Sequence, residues 1–250
     1  MLYLGPSALK QPAGQQQDPA ISDWQQYYQQ QAEHSQHPLL QQFYQAGMVG
    51  ADTPISKVPL LALDIETTGL DPANSGIVSI GLLPMDLTQI YASKAQQWLL
   101  KPRFSLSDES VTLHRITHTD IEQAPDLSSV LPQLLKLMAG KVVIVHYRGI
   151  ERPFLHAALS ARLGQGIYFP VIDTMALEAR LHRRKALSLW QQLRGKQPLS
   201  IRLADSRLRY GLPPYRPHHA VTDALACAEL FRAQLAARFS PDTPVSQLWC

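Results

Sequence analysis

The chain is poor in cysteine: of 250 residues only Cys227 and Cys250 are thiols, too few for a disulfide framework. Cys227 falls in an apolar helical pattern and is expected to be a buried thiol. Charged residues make up 17%, and a net charge of +3 argues for no partner by itself. No apolar run approaches the ~18 residues a membrane span needs, and the N-terminus lacks the apolar stretch of a secretory signal. These absences argue against a disulfide-stapled secreted module and a membrane-spanning protein, and make cytoplasmic the expected localisation. What is present is a hydrophobic fraction of 45%, enough for one ordinary domain with an extension.

The front of the chain differs in composition from the rest. Thirteen glutamines fall in the first fifty positions, and residues 1–18 show no periodicity. Ser22 or Asp23 then suits the cap of a helix carrying Trp24, Tyr27 and Tyr28. His37-Pro38 breaks it, and a second helix carries Leu39, Leu40, Phe43 and Tyr44. The expected division is a Gln-rich, partly helical extension over 1–55, a main domain over 56–240 and a tail over 241–250. Packing of the helix pair on its own domain is preferred to docking on a partner, and the tail, ending Ser246-Gln247-Leu248-Trp249-Cys250, reads as a frayed terminus.

The main domain opens on Leu60-Leu-Ala-Leu63, an apolar run expected of a doubly buried strand over Leu60–Asp64. Asp64 and Glu66 follow, two residues apart. In extended chain such positions project to one side at roughly 6–7 Å. Adjacent carboxylates repel unless a cation neutralises them, and a divalent metal is the usual agent; solvated acids at a strand end are the alternative. Strands over Gly76–Leu83 and Ala95–Lys101 follow after short connections, which predicts an antiparallel meander. Helices are expected over Ser107–Leu113, Asp126–Met138, Pro153–Leu163, Thr174–His182, Ile201–Arg209 and Val221–Phe239, with further strands over Lys141–His146 and Tyr168–Asp173. Strands first and then strands alternating with helices make a mixed sheet with helices packed on it.

Two more features bear on chemistry. Between Arg180 and Arg216 ten basic residues occur against one acid, Asp205, which suits a polyanion as well as a solvated helical surface. In Pro217-His-His-Ala-Val-Thr-Asp223, His218 and Asp223 stand five apart at the start of the last helix. The aspartate would complete a metal site with Asp64 and Glu66, leaving the histidine free to take a proton. A capped helix start with a surface histidine is the alternative.

Asp-Ile-Glu-Thr-Thr-Gly at 64–69, with His-His-Ala-Val-Thr-Asp at 218–223, resembles the DEDDh exonucleases, the epsilon-type proofreading family, over roughly residues 57–239. The resemblance implies an RNase H-like α/β fold: a mixed five-stranded sheet flanked by helices, with the helical N-terminal extension outside it. It also implies two Mg²⁺ or Mn²⁺ ions held by Asp64, Glu66, Asp223 and a fourth acid. In His146-Tyr-Arg-Gly-Ile-Glu151, Glu151 stands where the family has aspartate, one methylene (~1.5 Å) longer, and Tyr147 and Arg148 replace small or amide residues. Activity is expected to survive, with altered metal preference.

By the same resemblance His218 is the general base. Glu109 and His114 lie near the terminal nucleotide, and Thr67, Thr68 and Leu70 line the pocket for the last sugar and base. Asp173-Thr174 is read as a helix cap rather than a ligand. The implied reaction is hydrolysis from single-stranded 3′ ends, DNA favoured, releasing nucleoside 5′-monophosphates. An RNA 3′ exonuclease of the oligoribonuclease kind is the alternative of like chemistry. A nucleic-acid-binding module impaired by Glu151 is the alternative without it. Expected partners are nucleic acid 3′ ends and an unidentified polymerase or other replication or repair protein.

Overall fold

A computed structural model of the chain describes residues 21–104, 116–182 and 199–250. Residues 1–18, the helix expected over 107–113 with Glu109 and His114, and basic residues 183–185, 194 and 196 lie outside these. Five strands form one sheet in the order β3-β2-β1-β4-β5. They are β1 (Leu60–Thr67), β2 (Ile77–Met85), β3 (Gln96–Leu99), β4 (Val142–Val145) and β5 (Val171–Asp173). β1, β2 and β3 form the antiparallel meander, while β4 and β5 join β1 in parallel. The sheet is mixed, as the order of elements predicts.

β1 runs three residues past its expected end and is buried throughout. The acids therefore sit within the strand, because β2 continues to pair with it through Asp64↔Gly81 and Glu66↔Ser79. On the other side β4 pairs only with Leu60–Ala62. Beyond Ala62, β1 overhangs its parallel neighbour. A crevice opens at the carboxyl ends of parallel strands in such a place, where α/β sheets commonly hold ligands.

The helices are α1 (Trp24–His34), α2 (Pro38–Gln45), α3 (His118–Glu122), α4 (Leu127–Met138), α5 (Arg148–Leu163), α6 (Thr174–His182), α7 (Leu203–Arg209) and α8 (Ala220–Arg238). Asp23 caps α1 by accepting from the Gln26 N–H at 3.0 Å, and Pro38 takes the first position of α2, where its missing N–H costs nothing. Trp24, Tyr28, Leu40, Phe43 and Tyr44 are buried in the same core as β1 and β4. The Tyr44 hydroxyl accepts from the Tyr168 N–H at 3.2 Å. The helix pair thus packs on its own domain, and edge-to-face rings join its two helices to each other. Long α8 lies across β1 and β2, and Cys227 is buried on it.

Two expectations need correcting. The tail is not frayed. The Ser246 and Val245 N–H groups donate to Ala51 and Thr53, Ile55 and Ser56 donate back to Thr243 and Pro241, and Cys250 exchanges backbone bonds with Val171. Leu248 and Val245 are buried, which ordering of a terminal segment requires. The helix expected from Pro153 begins instead at Arg148, for a reason that belongs to the site. Phe43→Ala is expected to cost about 3–5 kcal/mol and to lower the single melting transition of the whole domain in urea or heat. An unchanged main transition would mean that α1 and α2 are an appendage.

Candidate active site

β1 carries Asp64 and Glu66 on one face, and the first turn of α8 carries Asp223. A carboxylate oxygen of each lies within 4.8 Å of the other two, and all three residues are buried. What lets the helix come so near is Gly81, paired with Asp64 on the adjoining strand. A Cβ at residue 81 would stand 2.3 Å from the Ala220 carbonyl carbon, so no side chain fits between strand and helix start. Sequence reading passed over this glycine; a glycine inside a strand beside an acid is the signal for close backbone approach.

The carboxyls are in electrostatic tension. Burial, and then the charge of Glu66 with those of Asp223 and Glu151 adding, holds Asp64 far above the usual carboxylate range. Burial also raises Asp223, although the His218 N–H donates to its Oδ2 at 2.9 Å. Glu151, in the first turn of α5, is buried beside the three and is not within the 4.8 Å group. Its carboxyl is pushed far up by burial first, with the charges of Asp173 and Glu66 adding. Asp64 Oδ2 and Glu151 Oε2 are buried without a hydrogen-bond partner among the described residues. Hard oxygen donors gathered so closely, two of them without a hydrogen-bond donor, suit a divalent cation such as Mg²⁺.

His218 is half-buried and adopts a left-handed backbone, φ +69°, just ahead of His219, which caps α8. Thr67 is buried, its hydroxyl donating to the Gly69 carbonyl at 2.7 Å. The Thr68 hydroxyl accepts from the Gly76 N–H at 2.9 Å. Both hydroxyls shape the β1–β2 turn, whereas Leu70 is exposed on it.

The start of α5 is unusual. Tyr147, its cap residue, has φ +96° and offers no side-chain cap, a backbone strain of about 1–3 kcal/mol for a bulky residue. Asp173 supplies the cap from 26 residues away, accepting from Tyr147 N–H at 3.0 Å and Arg148 N–H at 3.1 Å. It also caps α6, as expected, through Met175 and Ala176. Beside it the buried His146 ring meets Thr174 Oγ1 at 2.8 Å and the Ile201 carbonyl at 3.1 Å. Burial lowers its pKa to about 4, so it is neutral at pH 7.

The basic segment is partly internal. Arg207 is buried, donating to the Ala226 and Pro213 carbonyls and pairing with Glu229 at 2.8 Å. Arg209 pairs with buried Glu178, which also accepts from Tyr210 and Gln234. Burial works to raise Glu178, but these donors, Arg209 foremost, leave it lowered. The two arginines are therefore structural ties rather than part of either surface the charge count allowed, a polyanion-binding one or a solvated one.

Comparison with known proteins decides the lineage. The family model described as "Exonuclease" (RNase_T) matches residues 61–231, more than half of the chain. The chain belongs to this exonuclease family. It is 29% identical over 181 residues to a "DNA polymerase III PolC-type" from Thermotoga petrophila, which covers 72% of this chain but 12% of that much longer protein. It is 27% identical over 179 residues to the "DNA polymerase III subunit epsilon" of Treponema pallidum, covering 72% of this chain and 77% of that one. Among solved structures, the nuclease domain of 3′hExo, described as a DEDDh family member bound to rAMP, has a TM-score of 0.57 at 15% identity. It covers 75% of this chain and 96% of that one, and it shares the RNase H-like fold. No helix among the described residues is long and apolar enough to cross a membrane.

Two predictions test the geometry. In EDTA, Asp64→Asn is expected to melt above the unsubstituted protein at about pH 8, the gap narrowing toward about pH 4. The sign follows from the raised folded values. Starting from 3.8 for Asp64 and Asp223 and 4.5 for Glu151, stability is intact below these unfolded values. It falls as pH rises through the folded ones. A gap that widens toward acid contradicts the assignment. Gly81→Ala is expected to push the α8 start off the strand and cut turnover about 10²-fold, while circular dichroism still shows a folded domain.

Proposed function

We propose that the protein is a metal-dependent 3′-5′ exonuclease acting on single-stranded 3′ ends, DNA favoured, and releasing nucleoside 5′-monophosphates. The observation that carries this is the buried meeting of Asp64, Glu66 and Asp223 within 4.8 Å in a chain of the exonuclease family. Asp64, Glu66, Glu151 and Asp223 are the residues that would hold two Mg²⁺ or Mn²⁺ ions. Such ions make a bound water acidic and neutralise charge on the leaving oxygen.

The protein's own groups do the rest. His218 takes the proton of the attacking water as general base, its main chain tied to the acids by the bond from its backbone N–H to Asp223 Oδ2. Glu151, in the first turn of α5, would help hold the ion on the side of the departing 3′ oxygen, directly or through a bound water. Thr68 and Leu70, on the turn above the acids, face the last sugar and base, with Thr67 fixing that turn. Glu109 and His114 are assigned to the terminal nucleotide. The walls of buried apolar strand keep bulk water from the acids, which strengthens each electrostatic contact.

DNA is favoured because the two sequence relatives described above bear DNA polymerase names. A polymerase or other replication protein is accordingly the partner class proposed. RNA is the second reading, favoured by the fold neighbour bound to rAMP and by one described as recognising a histone mRNA stem-loop, at TM-score 0.55.

The test is digestion of 3′- and 5′-labelled DNA and RNA, single-stranded and duplex, in Mg²⁺, Mn²⁺ or EDTA. Mononucleotides are expected from the 3′ end with either ion and none in EDTA. Asp64→Ala should release none. His218→Ala should lower kcat by about 10²-fold or more and leave single-strand binding nearly unchanged. Unaltered turnover in His218→Ala removes it as the base, metal-independent release removes the metal-dependent mechanism, and absent release removes the enzyme reading.

A further inference from the structure

Glu151 takes its position from the start of a helix, not from the sheet. It rides the first turn of α5, and that helix starts from a residue with φ +96° that brings no cap of its own. Left to its sequence, such a start would fray, because the first N–H groups of a helix have no partner within it. Asp173 supplies them. Its Oδ2 takes the Arg148 N–H, and its Oδ1 takes Tyr147 together with Met175 and Ala176 of α6. One buried carboxylate thus closes two helix starts at once, at the ends of parallel strands β4 and β5, which pair Val145 with Asp173. His146 and Thr174, the neighbours of these residues, bond to each other alongside.

Glu151 stands three positions after the clamped Arg148, less than one turn of helix. Any rotation of that turn is passed to the Glu151 carboxyl, which makes no hydrogen bond through Oε2 to hold it in place. Glycine at 149 gives the turn further freedom, although the Tyr147 ring covers it: a Cβ there would lie 2.8 Å from the ring carbon that bears the hydroxyl. Asp173 holds no place among the acids that meet near Asp64, and its oxygens are filled by backbone donors.

We propose that Asp173 is a positioning residue for catalysis, which fixes the aim of Glu151 toward the Asp64 side of the site by clamping the N–H groups of Tyr147 and Arg148. The inference rests on Glu151 being a metal ligand, as set out above, and goes beyond it by naming what orients that ligand. Partners of this kind behind a ligand are worth about 10–100-fold in metal affinity.

The test uses Asp173→Asn in the full chain. The amide keeps one oxygen for Tyr147, Met175 and Ala176, but turns an NH₂ group on the Arg148 N–H, so one bond of four is lost. Mn²⁺ alone, without nucleic acid, is titrated by calorimetry into the unsubstituted protein, Asp173→Asn, Glu151→Gln and the double variant. Asp173→Asn is expected to weaken Mn²⁺ binding about tenfold in the presence of Glu151 and less than about twofold in Glu151→Gln. A merely structural aspartate would weaken it alike in both backgrounds.

Equal effects in the two backgrounds, or none in either, overturn this inference and leave the Glu151 ligand intact. If Glu151→Gln alone binds Mn²⁺ unchanged, the ligand assignment falls and this inference with it. Should Asp173→Asn fail to melt cooperatively, amide hydrogen exchange on the unsubstituted protein decides. Tyr147 and Arg148 are expected to be protected about 100-fold or more over open chain, and free exchange at both overturns the clamp.

Discussion

Asp64, Glu66 and Asp223 crowd within 4.8 Å where water scarcely reaches, and keeping ionisable groups there against repulsion and desolvation is work shared by the whole fold. The apolar sheet supplies rigidity: β1 is bound on one side along its length by β2 and on the other by β4. α8 supplies the third acid by lying directly on that sheet. A site of this kind costs stability in the metal-free protein and is tolerated because the surrounding core is large. Function and folding pull in opposite directions at these side chains.

The peripheral segments contribute to that core. The N-terminal helices bury five aromatic rings at or beside it, and the strand-like pairing of 51–56 with the C-terminal segment closes the opposite margin. Arg152, adjacent to Glu151, donates to the Phe169 and Cys250 carbonyls and lies over the Trp24 ring at 5.7 Å. The helix that carries Glu151 therefore rests on both chain extensions, although neither falls within residues 61–231 that the family model matches.

Much of this was legible in the sequence, and the remainder was hidden for a common reason. The period-two placing of Asp64 and Glu66, the meander, the helix caps at Asp23 and Asp173 and the buried Cys227 follow from local spacing. Pro153 misled because a proline often opens a helix, while the true opening is capped by a residue 26 positions away. Arg207 and Arg209 looked like part of a solvated surface or of one for a polyanion, because charge counting cannot see Glu229 and Glu178 across the fold. The tail looked loose since its partners, Ala51, Thr53 and Val171, are remote in the chain. Local pattern reveals periodicity and turns; contacts made only after collapse leave no such trace.

The bare strand position at Gly81 has a consequence for assembly of the hairpin itself. Sliding β2 by one residue along β1 would turn every side chain to the wrong face. Sliding it by two keeps the faces but brings Ser79 or Leu83 beneath the helix that now rests on a glycine. Either mispaired ribbon is sterically barred from receiving α8, so docking of the last long helix acts as a proof of correct strand alignment before the acids ever meet.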